Sequence, residues 1–235
     1  TDGYMAAYGA GGAGKSLFLR ALAIAAGLTA RSGPCFVYGL DFGSRGLTML
    51  ERLPHVGSIV GADDVERTTR LVRMLRELID ERALRYAAVN AATIGEYRDR
   101  AARPTEPRYL LLIDGFGAFR SAYEIGPSMK VFDTLQSIAA DGRPVGVHVV
   151  FTADRAGAVP SSVTSAVQRS LALRLANEMD EVTLGVPKAG FSESSPPGRG
   201  FLDGAGVQVA VFGGSADVAA QAEAVGRLAA SMERA

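Results

Sequence analysis

Gly9-Ala10-Gly11-Gly12-Ala13-Gly14-Lys15-Ser16 fits G-x-x-x-x-G-K-[ST] at every fixed position. Small residues let the backbone wrap closely around a polyphosphate, and successive N–H groups form a nest for its oxygens. Lys15 has the length to reach the β and γ phosphates, and the Ser16 hydroxyl is a ligand for Mg²⁺. A strand-like run, Tyr4 to Tyr8, precedes the motif, and an apolar helix from Lys15 to about Leu28 follows it. That helix would aim the positive end of its dipole at the same point. ATP and Mg²⁺ are therefore the expected cofactors. Gly9, Ala10, Gly11, Gly12, Ala13, Gly14, Lys15, Ser16 and the adjoining Leu17 are the expected contacts.

Outward from this turn, strands and helices alternate. Cys35 to Leu40 and Gly146 to Thr152 are apolar runs suited to buried strands, and Tyr109 to Ile113 is a continuous one ending in Asp114. Val65, Leu71, Val72, Leu75, Leu78, Ile79 and Leu84 recur at helical spacing, so Asp63 to Ala87 is predicted to be a long amphipathic helix with Asp63 as its N-cap. Short helices are predicted over Gly46–Leu53, Ile94–Arg103 and Asn177–Leu184, with longer ones at Ser128–Ala140 and Ser215–Glu233. Val163–Arg169 reads as helix, Ser170–Leu175 as strand, and Lys188–Arg199 as an exposed loop. Phe201-Leu202 and Val207–Phe212 read as a hairpin around Asp203-Gly204. This order predicts an α/β fold with a mostly parallel sheet flanked by helices. Residues 1–235 are read as one such domain. The strand that begins two residues from the first residue leads us to expect a domain taken from a longer, multi-domain chain.

Composition narrows the partners. Twenty-five basic residues balance 25 acidic ones, which gives no bulk attraction to nucleic acid or to an anionic membrane. The single cysteine, Cys35, rules out a disulfide framework within the chain and reads as a packed small hydrophobe. The two histidines are far apart in sequence and form no metal-ligand cluster. No apolar run is long enough to span a bilayer.

Asp114 is the natural partner of Ser16 in holding Mg²⁺. The next residue is Gly115, where many P-loop ATPases carry a glutamate that orients or deprotonates the attacking water. The nearest downstream carboxylate, Glu124, is expected to lie outside the site. The sequence thus predicts tight ATP binding with very slow or absent hydrolysis and assigns no catalytic residue; the alternatives are an active motor domain whose base lies elsewhere and a substrate-binding module. Thr152 reads either as a γ-phosphate sensor or as a strand-end hydroxyl. Arg155 reads as a phosphate or interface arginine or as a solvated loop charge. Arg143 is a candidate arginine for a neighbour's nucleotide or a surface charge, and Asp41 either faces the same crevice or forms a turn.

The chain resembles the FtsK/SpoIIIE family of hexameric P-loop motor ATPases. The resemblance rests on Tyr8–Ser16, Tyr38-Gly39-Leu40-Asp41-Phe42-Gly43, Leu53-Pro54-His55-Val56-Gly57, Leu112-Ile113-Asp114-Gly115-Phe116-Gly117, the stretch 142–150 and Pro197-Gly198-Arg199-Gly200. Within that family it looks most like the second, middle ATPase domain of type VII secretion motors of the EccC type. The resemblance implies a RecA-like P-loop NTPase core, neighbouring ATPase domains in one chain, a membrane tether to secretion-system components, and a hexameric assembly on the cytoplasmic side of the cell membrane. It also implies export of small helical-hairpin proteins, and downstream ATPase domains that often bind ATP without appreciable turnover. Its DNA-translocating members are disfavoured by the even charge.

Overall fold

A computed structural model describes residues 4–28, 33–188, 190–192 and 194–234. Residues 189 and 193 of the predicted loop lie outside these, as does Gly3 just before the first strand. Eight strands form one sheet: β1 Tyr4–Tyr8, β2 Cys35–Asp41, β3 Val56–Gly61, β4 Arg108–Asp114, β5 Val147–Ala153, β6 Val167–Leu173, β7 Arg199–Leu202 and β8 Ala205–Gln208. Their order is β3-β2-β4-β5-β1-β6-β7-β8. The pairs from β3 through β6 are parallel, and β7 and β8 extend the sheet antiparallel.

Strand β4 shows why the sheet must be covered on both faces. Leu111 and Ile113 enter one apolar cluster, while Leu110 and Leu112 enter another, as strand alternation requires. The first cluster is covered by helices α2 Val65–Ala87, α3 Ile94–Arg100, α4 Phe116–Tyr123 and α5 Met129–Asp141. The second is covered by α1 Lys15–Leu28, the 3-10 turn Thr48–Arg52 and the C-terminal helix Val218–Met232. Two short helices, α6 Ser161–Thr164 and α7 Glu178–Thr183, complete the set, so the C-terminal helix is α8.

Several sequence expectations are corrected. The helix predicted over Val163–Arg169 is a single turn that ends at Thr164, and Val167 already pairs with Tyr4. Burial of Leu171, Ala172 and Leu173 against β1 outweighs the local helical pattern. The N-cap of α2 is Asp64, which accepts from the Arg67 N–H at 2.9 Å, while Asp63 pairs with Arg45. The last strand stops at Gln208, not Phe212. Helix α4 has no counterpart among the predicted elements, and Gly115 and Gly117 break up its sequence pattern. Its signal was the spacing of Phe116, Phe119 and Tyr123, all buried on one face.

Arg82 anchors the end of the sheet remote from the glycine-rich turn. It is 1% exposed, donates to the Val145 and Pro107 carbonyls at 2.8 Å each, pairs with Glu106 at 2.9 Å, and lies over the Tyr109 ring. Removing one partner of a buried ion pair typically costs about 3–5 kcal/mol. We expect Arg82→Ala to lower unfolding stability by about that amount in urea titrations, and Arg82→Lys to recover little because a compact ammonium lacks the planar fork whose two nitrogens reach these separated acceptors.

Candidate functional site

The turn between β1 and α1 is tied down at both flanks. Gly9 N–H donates to the Ala153 carbonyl at 3.0 Å and Ala10 N–H to the Arg174 carbonyl at 2.8 Å, which fixes its entry between β5 and β6. The Gly198 N–H donates to the Ala13 carbonyl at 2.8 Å. Gly14 has φ +105°, and a Cβ there would strike the Gly198 backbone, so two glycines make this close approach possible. Gly11 and Gly12 face open space.

The turn opens onto a cleft of about 950 Å³ at the carboxyl ends of the parallel strands, the place where open α/β sheets bind ligands. Lys15 Nζ donates to the Gly9 and Ala10 carbonyls at 2.7 and 3.0 Å and pairs with Asp154 at 2.8 Å. Asp154 was not singled out from the sequence, and only the tertiary contact exposes it.

Asp114 is 2% exposed. Its Oδ2 accepts from Ser16 Oγ at 2.6 Å, and its Oδ1 accepts from Thr152 Oγ1, also at 2.6 Å. Thr152 Oγ1 in turn accepts from the Gly115 N–H at 2.9 Å. Strand β5 lies between β1 and β4, so Thr152 bridges the glycine-rich strand and the Asp114 strand. In this structure its hydroxyl is committed to Asp114 and Gly115. Asp41 sits beside Asp114 in register, 3% exposed, and accepts from the Leu47 and Gly43 N–H groups. Burial, reinforced by the Asp114 charge, pushes its carboxyl above the ordinary aspartate value, and those two N–H bonds oppose the rise. Arg20, on α1, lines the cleft and donates to Gln221 at 2.8 Å and to the Gly46 carbonyl at 3.1 Å. Burial lowers its affinity for its proton, against the pull of Asp114 and Asp41.

The residues fit a magnesium nucleotide. A nest of unobstructed glycines, a lysine at the phosphate end, and a serine hydroxyl on a buried aspartate form the donor set for such a ligand. Gly11, Gly12, Gly14, Lys15 and Leu17 would hold the phosphates and their surroundings, with Ser16 and Asp114 available to a cation. Arg155 lines the same cleft, exposed. Arg143 does not: it lies before β5, at the opposite end of the sheet, in a separate groove with Arg108 and His148. Glu124, expected outside the site, lines the cleft from α4 together with Arg120. Among the described residues no cluster of His, Cys, Asp and Glu able to hold a metal by itself is found, and no helix is long and apolar enough to cross a membrane. Cys35 is partly buried, and burial pushes its thiol up.

Gly115 has φ +81°, and a Cβ there would lie 3.0 Å from the Phe42 carbonyl oxygen. A side chain at this position, which commonly carries a catalytic glutamate, would be strained by the left-handed backbone and tight against Phe42.

The FtsK/SpoIIIE family matches residues 3–190. The chain belongs to that family. It is similar to the ESX-1 secretion system protein EccCb1 of Mycolicibacterium smegmatis, 29% identical over 208 residues covering 84% of the chain and 33% of that protein. It is also similar to the ESX-5 secretion system protein EccC5 of Mycobacterium tuberculosis, 31% identical over 204 residues covering 83% of the chain and 14% of that protein. A solved structure of Thermomonospora curvata EccC, its ATPases 2 and 3 in complex with a signal sequence peptide, superposes with a TM-score of 0.82 at 25% identity, covering 98% of the chain and 42% of that one. The FtsK/SpoIIIE domain therefore spans a third or less of the curated relatives named here.

Two outcomes follow from the Asp114 cluster. Thr152→Val keeps the shape but strips both hydroxyl bonds. It should cost about 1–3 kcal/mol of unfolding stability, largely recovered in Thr152→Ser, as read by urea titration. The second concerns pH. Because Asp41 is raised when folded, its contribution to stability is fully present below the ordinary aspartate value and is lost as pH rises through the raised value. The stability difference between the natural chain and Asp41→Asn should shift against the natural chain over that interval.

Proposed function

We propose that this chain is an ATP-binding domain of a type VII secretion ATPase that grips Mg-ATP with little or no hydrolysis and serves as a structural or regulatory module in protein export. The observation that carries this reading is Gly115. Its left-handed backbone, packed on the Phe42 carbonyl, disfavours any residue but glycine where the usual glutamate would stand. The two buried carboxylates nearby are committed elsewhere: Asp114 is bonded to Ser16 and Thr152, and Asp41 to two backbone N–H groups.

A ligand that binds the folded chain alone stabilises it by mass action, so ATP would act as a structural cofactor. Lys15 would bind the outer phosphates, Ser16 and Asp114 would orient the cation, and Thr152 would hold the Asp114 carboxylate in place. The similarity to EccC-type proteins supports the rest of the reading. On it, the chain is one ATPase domain of a longer membrane-tethered protein, the second by its motifs, on the cytoplasmic side of the cell membrane. Its partners would be neighbouring ATPase domains of the same chain, secretion-system membrane components and exported small helical-hairpin proteins, within a hexameric assembly.

The test is to extract nucleotide from the purified chain, identify it, and follow its turnover with Mg²⁺. Intact ATP should persist through long incubation, and Lys15→Ala should lose about tenfold or more in ATP affinity. Gly115→Glu should gain no hydrolysis, because a residue other than glycine is strained at this left-handed backbone and its Cβ crowds the Phe42 carbonyl. Steady turnover by the natural chain, abolished in Lys15→Ala, would sink the binding-only reading.

A further inference from the structure

Helix α4 leaves the sheet directly after Gly115 and presents Arg120, Ser121 and Glu124 to the nucleotide cleft. Arg120 closes on Glu124 with both arms of its fork. Nε donates to Oε2 and Nη2 pairs with Oε1, each at 2.8 Å. The third nitrogen, Nη1, reaches the Ala158 carbonyl at 3.5 Å. Both side chains are about a third exposed, 31% and 35%, at the cleft wall.

An i,i+4 pair in this setting stabilises a helix only weakly. A guanidinium fork binds a phosphate in the same bidentate manner, with more charge to meet. The pair is therefore built to exchange partners when a phosphate arrives. Its position selects which phosphate. Ala158 belongs to the turn that follows Asp154, the partner of Lys15, and α4 begins next to Asp114. This wall is the phosphate and cation end of the cleft. Pro197, Ala216 and Val218, which also line the cleft, are apolar and suit a base rather than a phosphate.

We propose that Arg120 binds the terminal phosphate of a nucleoside triphosphate within its own chain, with Glu124 as the counter-ion it leaves, so that the pair distinguishes triphosphate from diphosphate. The proposal rests on the reading that the cleft holds ATP. In that setting the same contact supplies what a binding-only domain needs: a response to the γ phosphate that does not require its cleavage.

The experiment is calorimetry on the nucleotide-stripped chain with Mg²⁺ and either a non-hydrolysable ATP analogue or ADP, folding being checked by circular dichroism and urea midpoint. Arg120→Ala should weaken the triphosphate analogue about tenfold while changing ADP less than about twofold. Arg120→Lys should recover part of the loss, since it keeps the charge but not the fork. Glu124→Gln keeps the helix and removes the competing charge, so it should tighten the analogue several-fold and leave ADP unchanged. Equal effects on both nucleotides, or no effect from either variant, would overturn the proposal while leaving ATP binding intact. Lys15→Ala separates the two readings. If it binds as the natural chain does, the cleft assignment itself fails.

Discussion

The Asp114 carboxylate is the point on which the site depends. It ends a strand whose side chains are buried on both faces, and it is itself almost fully buried. A charge in that position requires partners, and both oxygens have them: Ser16 from the glycine-rich turn and Thr152 from the strand between. Three parallel strands are thereby locked in register at their carboxyl ends. The geometry that satisfies the buried charge is the same geometry that brings a phosphate nest, a lysine and a cation ligand to one place.

Around that carboxylate the chain uses glycine where backbones must touch. A Cβ at Gly43 would lie 3.0 Å from Asp114 Oδ2, and one at Gly115 equally close to the Phe42 carbonyl. Phe42 also donates its N–H to the Asp114 carbonyl at 2.9 Å. The loop after β2 is thus pressed onto the end of β4. This contact encloses the site, and it leaves a Cβ at Gly115 crowded against the Phe42 carbonyl.

The site is also coupled to the rest of the fold. Arg20, one turn into α1, joins the glycine-rich turn to Gln221 on α8, and Gln221 holds the Ser215 carbonyl at 3.1 Å. His55 lies on α1 at Gly27, with its Nε2 2.9 Å from the Ala23 carbonyl. Two motifs that carry the family resemblance therefore act by packing, Pro197-Gly198 against the phosphate turn and the histidine segment against the far half of α1. Neither places a side chain on the reacting end of a ligand.

The sequence by itself determined the fold class, the phosphate turn, the Asp114 strand and the missing glutamate. Each is a local signal: a fixed spacing of glycines before a lysine, an apolar run ending in an acid, a glycine in the next place. It also indicated the hairpin at Asp203-Gly204, where both residues adopt positive φ. Tertiary structure alone decided what joins the site from afar. Asp154 became the partner of Lys15, Thr152 was committed to Asp114, Arg143 was placed at the far end of the sheet, and Arg120 with Glu124 was brought into the cleft. Helix α4 explains the last of these. Two glycines hide it in the sequence, and only burial of Phe116, Phe119 and Tyr123 under the sheet makes it a helix and turns its polar face toward the phosphate end. Short helices draw their stability from packing rather than from propensity, so their partners must be known before they can be read.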